Sequence, residues 1–113
     1  MFALFLLFSI SSMLLALLGI PLGLGLIKPN PWYGFRIKAT RENPDLWYPV
    51  NEMFGHLQFI VGFATFLSSY LLYRVPGLTV ETYALDVLGI FLMFCIPAIY
   101  MTHRFLKRLK KKR

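Results

Sequence analysis

Cysteine, histidine and acidic residues are scarce in this chain of 113 residues, which has one Cys, two His and five Asp or Glu. The single Cys95 forms no intrachain disulfide, and inside an apolar run a lone thiol reads as packing. His56 and His103 stand far from each other and from Cys95, which argues against a zinc site. Catalytic spacings of the HxxxE or GxSxG kind are absent, as are P-loops and glycine-rich nucleotide fingerprints. No set of nucleophile, base and metal ligands stands out. An enzyme is therefore not expected, and neither a cofactor nor a metal is implied.

Charge is missing altogether from Met1 to Ile27. With no Lys or Arg ahead of its apolar run, no A-x-A cleavage pattern and a run too long for an h-region, this block reads as a retained helix, not a signal peptide. What the chain does have is apolar residues, 58% of the total, with a mean hydropathy of +0.62. A soluble domain of this length buries too little of its surface to hide that much. The apolar residues also come in three blocks, Met1 to Ile27, about Met53 to Tyr73 and about Leu85 to Thr102. A helix needs roughly 20 such residues to cross the hydrocarbon layer. The expected class is an all-α membrane protein with a single membrane domain over 1–113. Its expected parts are helix 1 at about 1–27, a loop at 28–51, helix 2 at about 52–73, an outer loop at 74–83, helix 3 at about 84–103 and a basic tail at 104–113. Tyr83 and Tyr100 suit the interfaces of the third span.

A formal charge of +7 raises nucleic acid as a partner, but the placement of the charge argues against it. Seven of the twelve Lys and Arg lie in the tail, and four more, Lys28, Arg36, Lys38 and Arg41, lie in the first loop. Only Arg74 lies in the second loop, with Glu81 and Asp86 following. The positive-inside bias puts the first loop and the C-terminus in the cytoplasm, and three spans then put the N-terminus outside. The tail HRFLKRLKKKR is expected on anionic lipid headgroups, with Phe105, Leu106 and Leu109 dipping into the interface.

Two stripes run along the second span. Asn51, Gly55, Gln58, Gly62, Thr65 and Ser69 step by four and three, which places small and polar groups on one face. Phe59, Phe63, Phe66, Tyr70 and Tyr73 lie on another. The first span carries a matching small stripe, Ser9, Ser12, Ala16, Gly19 and Gly23. Small faces let backbones approach and polar groups bond across the contact, so these two faces are expected to meet in a compact three-helix bundle. Pro21 and Pro97 are expected to bend their helices. Glu52 and His56 stand one turn apart at the inner mouth of helix 2, as an interfacial polar pair or a partner site.

The first loop is the most particular stretch. Pro29 and Pro31 end the first span. Trp32, Tyr33, Trp47 and Tyr48 suit an aromatic belt at headgroup level. Gly34 permits a tight bend, and the alternation from Phe35 to Thr40 suits a short extended piece. Asn43-Pro44-Asp45 reads as a helix start, with Asn at the N-cap and Pro at the first position. The helix would run through Trp47 and Tyr48 into the second span, with a kink at Pro49. Arg36 offers a guanidinium for a carboxylate, a phosphate or backbone carbonyls.

The runs PNPWYGFRIKAT and RENPDLWYPVNEMFGH, with the glycine of QFIVG, closely resemble the SdpI family of small bacterial membrane proteins. The matching positions are Asn30, Trp32, Tyr33, Gly34, Arg36, Thr40, Trp47, Asn51 and Gly55, and Asn43 lies within the same stretch. The resemblance runs from Pro29 to Gly62, and the span–loop–span–span layout of the family's core covers nearly the whole chain. It implies a multi-pass protein of the bacterial cytoplasmic membrane. It also implies immunity to a membrane-active peptide toxin, or signalling through a soluble regulator held at the membrane, or both. The alternative is a small structural or accessory subunit of a larger membrane complex, which needs no chemistry from the loop.

Overall fold

The computed structural model describes residues 1–35, Thr40 and 42–111. Among the described residues three long helices build the fold: α1, Phe2–Gly23; α2, Pro44–Tyr73; and α3, Val80–Lys111. Each is long and apolar enough to cross a membrane. At 1.5 Å per residue, the 22 residues of α1 span about 33 Å, close to the hydrocarbon thickness. The 30 residues of α2 and 32 of α3 reach about 45 Å or more and so project beyond α1.

The end of α1 and both ends of α3 differ from the sequence expectation, each for a local reason, whereas α2 begins at the Asn43-Pro44-Asp45 start and ends at Tyr73 as expected. Helix α1 stops at Gly23, not at residue 27. Gly25 takes φ +75°, its N–H donates to the Leu22 carbonyl, and the Leu26 N–H donates to the Pro21 carbonyl. This is a Schellman stop, which satisfies carbonyls at the helix end before the prolines are reached. Helix α2 starts at Pro44 behind an N-cap Asn43, with Asp45 in the first turn and Pro49 inside the helix. Helix α3 starts at Val80, because Thr79 Oγ1 accepts the Thr82 N–H at 3.2 Å and Glu81 lies in the first turn. It then continues through the basic tail to Lys111. Arg108, Lys110 and Lys111 stand in its last turn, where cations favour the helix end.

The molecule is elongated, 55 × 22 × 18 Å, with α2 as the central helix packed against both α1 and α3. The α1–α2 seam is formed by the two small-residue stripes. Ser9, Ser12, Ala16 and Gly19 are buried against Gly55, Gln58, Gly62, Thr65 and Ser69. A Cβ on Gly62 would meet the Ser12 carbonyl and the Ala16 nitrogen, each at 2.6 Å. Two side-chain bonds cross the seam: Gln58 Nε2 donates to the Leu15 carbonyl at 2.9 Å, and Ser9 Oγ meets Ser69 Oγ at 3.2 Å. Ser69 gives its own hydrogen to the Phe66 carbonyl, so Ser9 is the donor. Tyr83 donates to the Ser69 carbonyl at 3.0 Å, which ties α3 to the same point.

At that end Tyr73 leaves the aromatic stripe of α2 to stack on Phe5, ring centroids 4.4 Å apart, and Phe8 lies 5.9 Å from Tyr83. Phe59, Phe63 and Tyr70 stay exposed along the outer face, as lipid-facing rings do. At the other end the apolar side chains of the tail turn inward. Leu106 is buried against Leu46 and Val50, flanked by Phe35, Phe105 and Leu109. The expectation that these residues dip into the lipid interface is therefore corrected. The projecting ends of α2 and α3 offer each other an apolar face that is closer than the bilayer.

Candidate functional site at the loop end

The loop between α1 and α2 is built on Asn30. Its Oδ1 accepts the backbone N–H groups of Trp32 and Tyr33, at 2.9 and 2.8 Å, and its Nδ2 donates to the Lys28 carbonyl at 2.7 Å. A primary amide supplies acceptor and donor together, which a turn of this shape needs. The turn carries the chain to Gly34 at φ +102°, a conformation that L side chains rarely adopt. A Cβ there would also stand 2.5 Å from Asn51 Oδ1 and 3.2 Å from Leu22 Cδ1.

Asn51 receives the turn from the buried side of α2. Its Oδ1 accepts the Phe35 N–H, while its Nδ2 donates to the Trp47 carbonyl at 3.0 Å and lies 3.4 Å from the Phe35 carbonyl. The side-chain amide thus pairs with both backbone groups of Phe35, as a neighbouring strand would. Thr40, fully buried, donates to the same Phe35 carbonyl at 2.8 Å.

Trp47 lies one turn before Asn51 and is 0% exposed. Its Nε1 donates to the Ile27 carbonyl at 2.8 Å, which joins the start of α2 to the segment leaving α1. The expected belt of four rings is therefore corrected. Trp32 stands out at 83% exposed, Trp47 is core, and Tyr33 and Tyr48 are half-buried. The Tyr33 hydroxyl is buried with no hydrogen-bond partner among the described residues, and burial pushes its pKa above the usual phenol value. Trp47→Phe should keep most of the packing and lose the bond to Ile27, at a cost of about 2 kcal/mol. Faster amide exchange over residues 24–35 would check this, and unchanged exchange would contradict it.

Glu52 and His56 are both exposed. His56 Nδ1 lies 2.6 Å from the Glu52 backbone carbonyl, so that nitrogen carries the proton, and the carboxylate is not its partner. The Glu52 carboxylate lies over Gly25 instead, where a Cβ would stand 2.6 Å from Oε1. Gly55 is buried against the backbone of Gly19 and Gly23. Arg36 lies outside the described residues. Among those described, no group of three His, Cys, Asp or Glu gathers at metal-binding distance.

Asn30, Gly34, Thr40, Trp47 and Asn51 therefore meet in one lock around the backbone of Phe35 and Ile27, with Asn43 at the N-cap position of the helix that carries it. Sequence reasoning missed the parts of the lock that are backbone. It also missed Phe35, Leu106 and Leu109 as its apolar backing, although the i, i+1, i+4 spacing of Phe105, Leu106 and Leu109 marks an apolar helical face.

Three spanning-length helices with a hydrogen-bonded closure at one end define a small multi-pass membrane protein. The chain belongs to the SdpI/YfhL protein family, whose model matches residues 26–103. The match covers the loop, all of α2 and most of α3. No curated protein and no solved structure matches the chain.

Proposed function

We propose that the protein lies in a bacterial cytoplasmic membrane with its N-terminus outside and the lock at the cytoplasmic face, and that it confers immunity by binding a membrane-active peptide within the bilayer. The orientation rests on the basic residues gathered at the loop and tail. The observation that carries the binding reading is a cleft of about 360 Å³ between α1 and α3. Leu7, Leu15, Val87 and Phe91 line it, with Ser11 at α1 and Thr65 at its base. Thr65 Oγ1 is buried without a partner among the described residues. In hydrocarbon a bare hydroxyl favours a neighbour that hydrogen-bonds. A peptide helix laid in the cleft would supply apolar contact and that bond.

The test is survival of sensitive cells under a panel of membrane-active peptides. Wild type should protect against at least one. Ser11→Phe, which fills the cleft from an exposed position and leaves the α1–α2 seam alone, should abolish protection at equal membrane yield. Undiminished protection by this variant would place peptide binding elsewhere.

A second reading is signalling. Trp32 presents a nearly bare indole on the loop as a surface for a soluble regulator, and Arg36 follows it closely in the sequence. A pull-down in mild detergent of wild type beside Arg36→Ala tests it. A soluble partner held by wild type and lost by the variant supports docking.

A further inference from the structure

A second cleft lies between Met53 of α2 and the C-terminal part of α3. Gly55 of α2 packs on Gly23, the last residue of α1, so Met53 lies near the level at which α1 ends. Beside Met53, the face of α3 carries Tyr100, Arg104 and Arg108 at four-residue steps, and Met101 and Phe105 complete a cleft of about 230 Å³. The four-residue spacing stacks the tyrosine and both guanidiniums in one row. Phe105 is fixed from behind, because it packs on the Leu46–Val50–Leu106 core. Both arginines are exposed, and the nearby Glu52 carboxylate lies over Gly25 on the α1 side.

We infer that this cleft binds the headgroup of one anionic phospholipid. Two guanidiniums one turn apart match the oxygens of a phosphodiester, and the arginine fork donates in the plane those oxygens need. Tyr100, at the hydrocarbon edge, reaches the ester region, and the floor of Met53, Met101 and Phe105 receives the first part of an acyl chain. The site is distinct from a diffuse attraction of the basic tail, to which Lys107 and Lys110 contribute equally well by charge. It rests on the membrane reading above, though not on the orientation or on peptide binding.

The full chain would be placed in nanodiscs of equal parts phosphatidylglycerol and phosphatidylcholine, and the lipid retained on release would be identified by native mass spectrometry. Wild type should retain phosphatidylglycerol in preference. Arg104→Gln/Arg108→Gln should lower that preference by about tenfold or more, whereas Lys107→Gln/Lys110→Gln, which removes the same charge, should stay within about threefold of wild type. An equal loss in both pairs would overturn the site in favour of diffuse charge. Soluble glycerol phosphate should not displace the lipid, and displacement would assign the guanidiniums to free phosphate esters instead. All four substituted positions are exposed, and a circular-dichroism and size-exclusion match among the variants guards against misfolding. A chain that fails to float with vesicles would remove the membrane reading itself. One that floats but shows no preference for phosphatidylglycerol would remove only this site.

Discussion

Gly55→Ala is expected to split α1 from α2. A single methyl at this position would overlap the Gly23 nitrogen and stand 2.7 Å from the Gly19 carbonyl and 2.8 Å from Gly23 Cα. All three atoms are backbone, so no side-chain rotation relieves the contact. The helices must separate, and the seam then loses close packing along its length. Between membrane helices close packing is the chief attraction, because lipid tails are as apolar as the side chains. The cost should reach about 3 kcal/mol or more. Gly89→Ala is the matched control. Among the described residues nothing beyond its own stretch of helix lies within 4 Å of the added Cβ, so stability there should hold or rise by up to about 1 kcal/mol from helix propensity. Unfolding in mixed detergent would compare the two. A Cys pair replacing Ser9 and Ser69, whose hydroxyls lie 3.2 Å apart, should cross-link readily in the wild-type background and poorly with Gly55→Ala. Equal stability of the two glycine variants would show that the seam tolerates separation.

The second large effect is at the lock. Asn51→Ala should cost about 3 kcal/mol, because the Phe35 N–H and the Trp47 carbonyl each lose a partner in a largely dry site. Gly34→Ala should cost a similar amount from two sources, the positive φ and the collision with Asn51 Oδ1. The sources separate in the double variant. Without the Asn51 amide that collision disappears, and the backbone strain and the close approach to Leu22 Cδ1 remain. The two costs should therefore sum to more than the double variant shows, by about 1 kcal/mol or more. Strict additivity would mean that the glycine answers to φ alone. Asn51→Asp adds a pH signature. The introduced carboxyl would face the Trp47 and Phe35 carbonyls, and in that buried place its charged form is disfavoured. Its folded pKa then lies above the unfolded one, so this variant should gain stability as pH falls and lose it as pH rises. Wild type should lack this trend.

These variants also separate the two readings of the loop. If the lock is architecture, Asn51→Ala lowers folded yield and protection together. If the loop docks a regulator, Trp32→Ala removes the partner with little change in stability, since that ring is almost bare.

The sequence by itself determined the spans, the seam and the position of the lock. Spans are legible because hydrocarbon demands long runs free of charge, and the first block, without a charged side chain, states this most plainly. The seam is legible because helical periodicity is rigid, so residues three and four apart share a face whatever else the chain does. The lock's place is legible from proline, glycine and asparagine, whose backbone preferences act locally. Tertiary structure decided the rest. It decided that Trp47 is core and Trp32 is not, although both are tryptophans flanked by tyrosine. The difference is the distant Ile27 carbonyl, which accepts the Trp47 indole N–H and which no local pattern announces. It decided that the tail is a helix whose leucines face Leu46 and Val50, because the projecting end of α2 is an apolar partner nearer than the bilayer. It also decided that the Glu52 carboxylate lies over Gly25, since the Schellman stop at Gly25 brings that backbone within reach. In each case the deciding contact joins residues far apart in sequence, and such contacts exist only once the helices have packed.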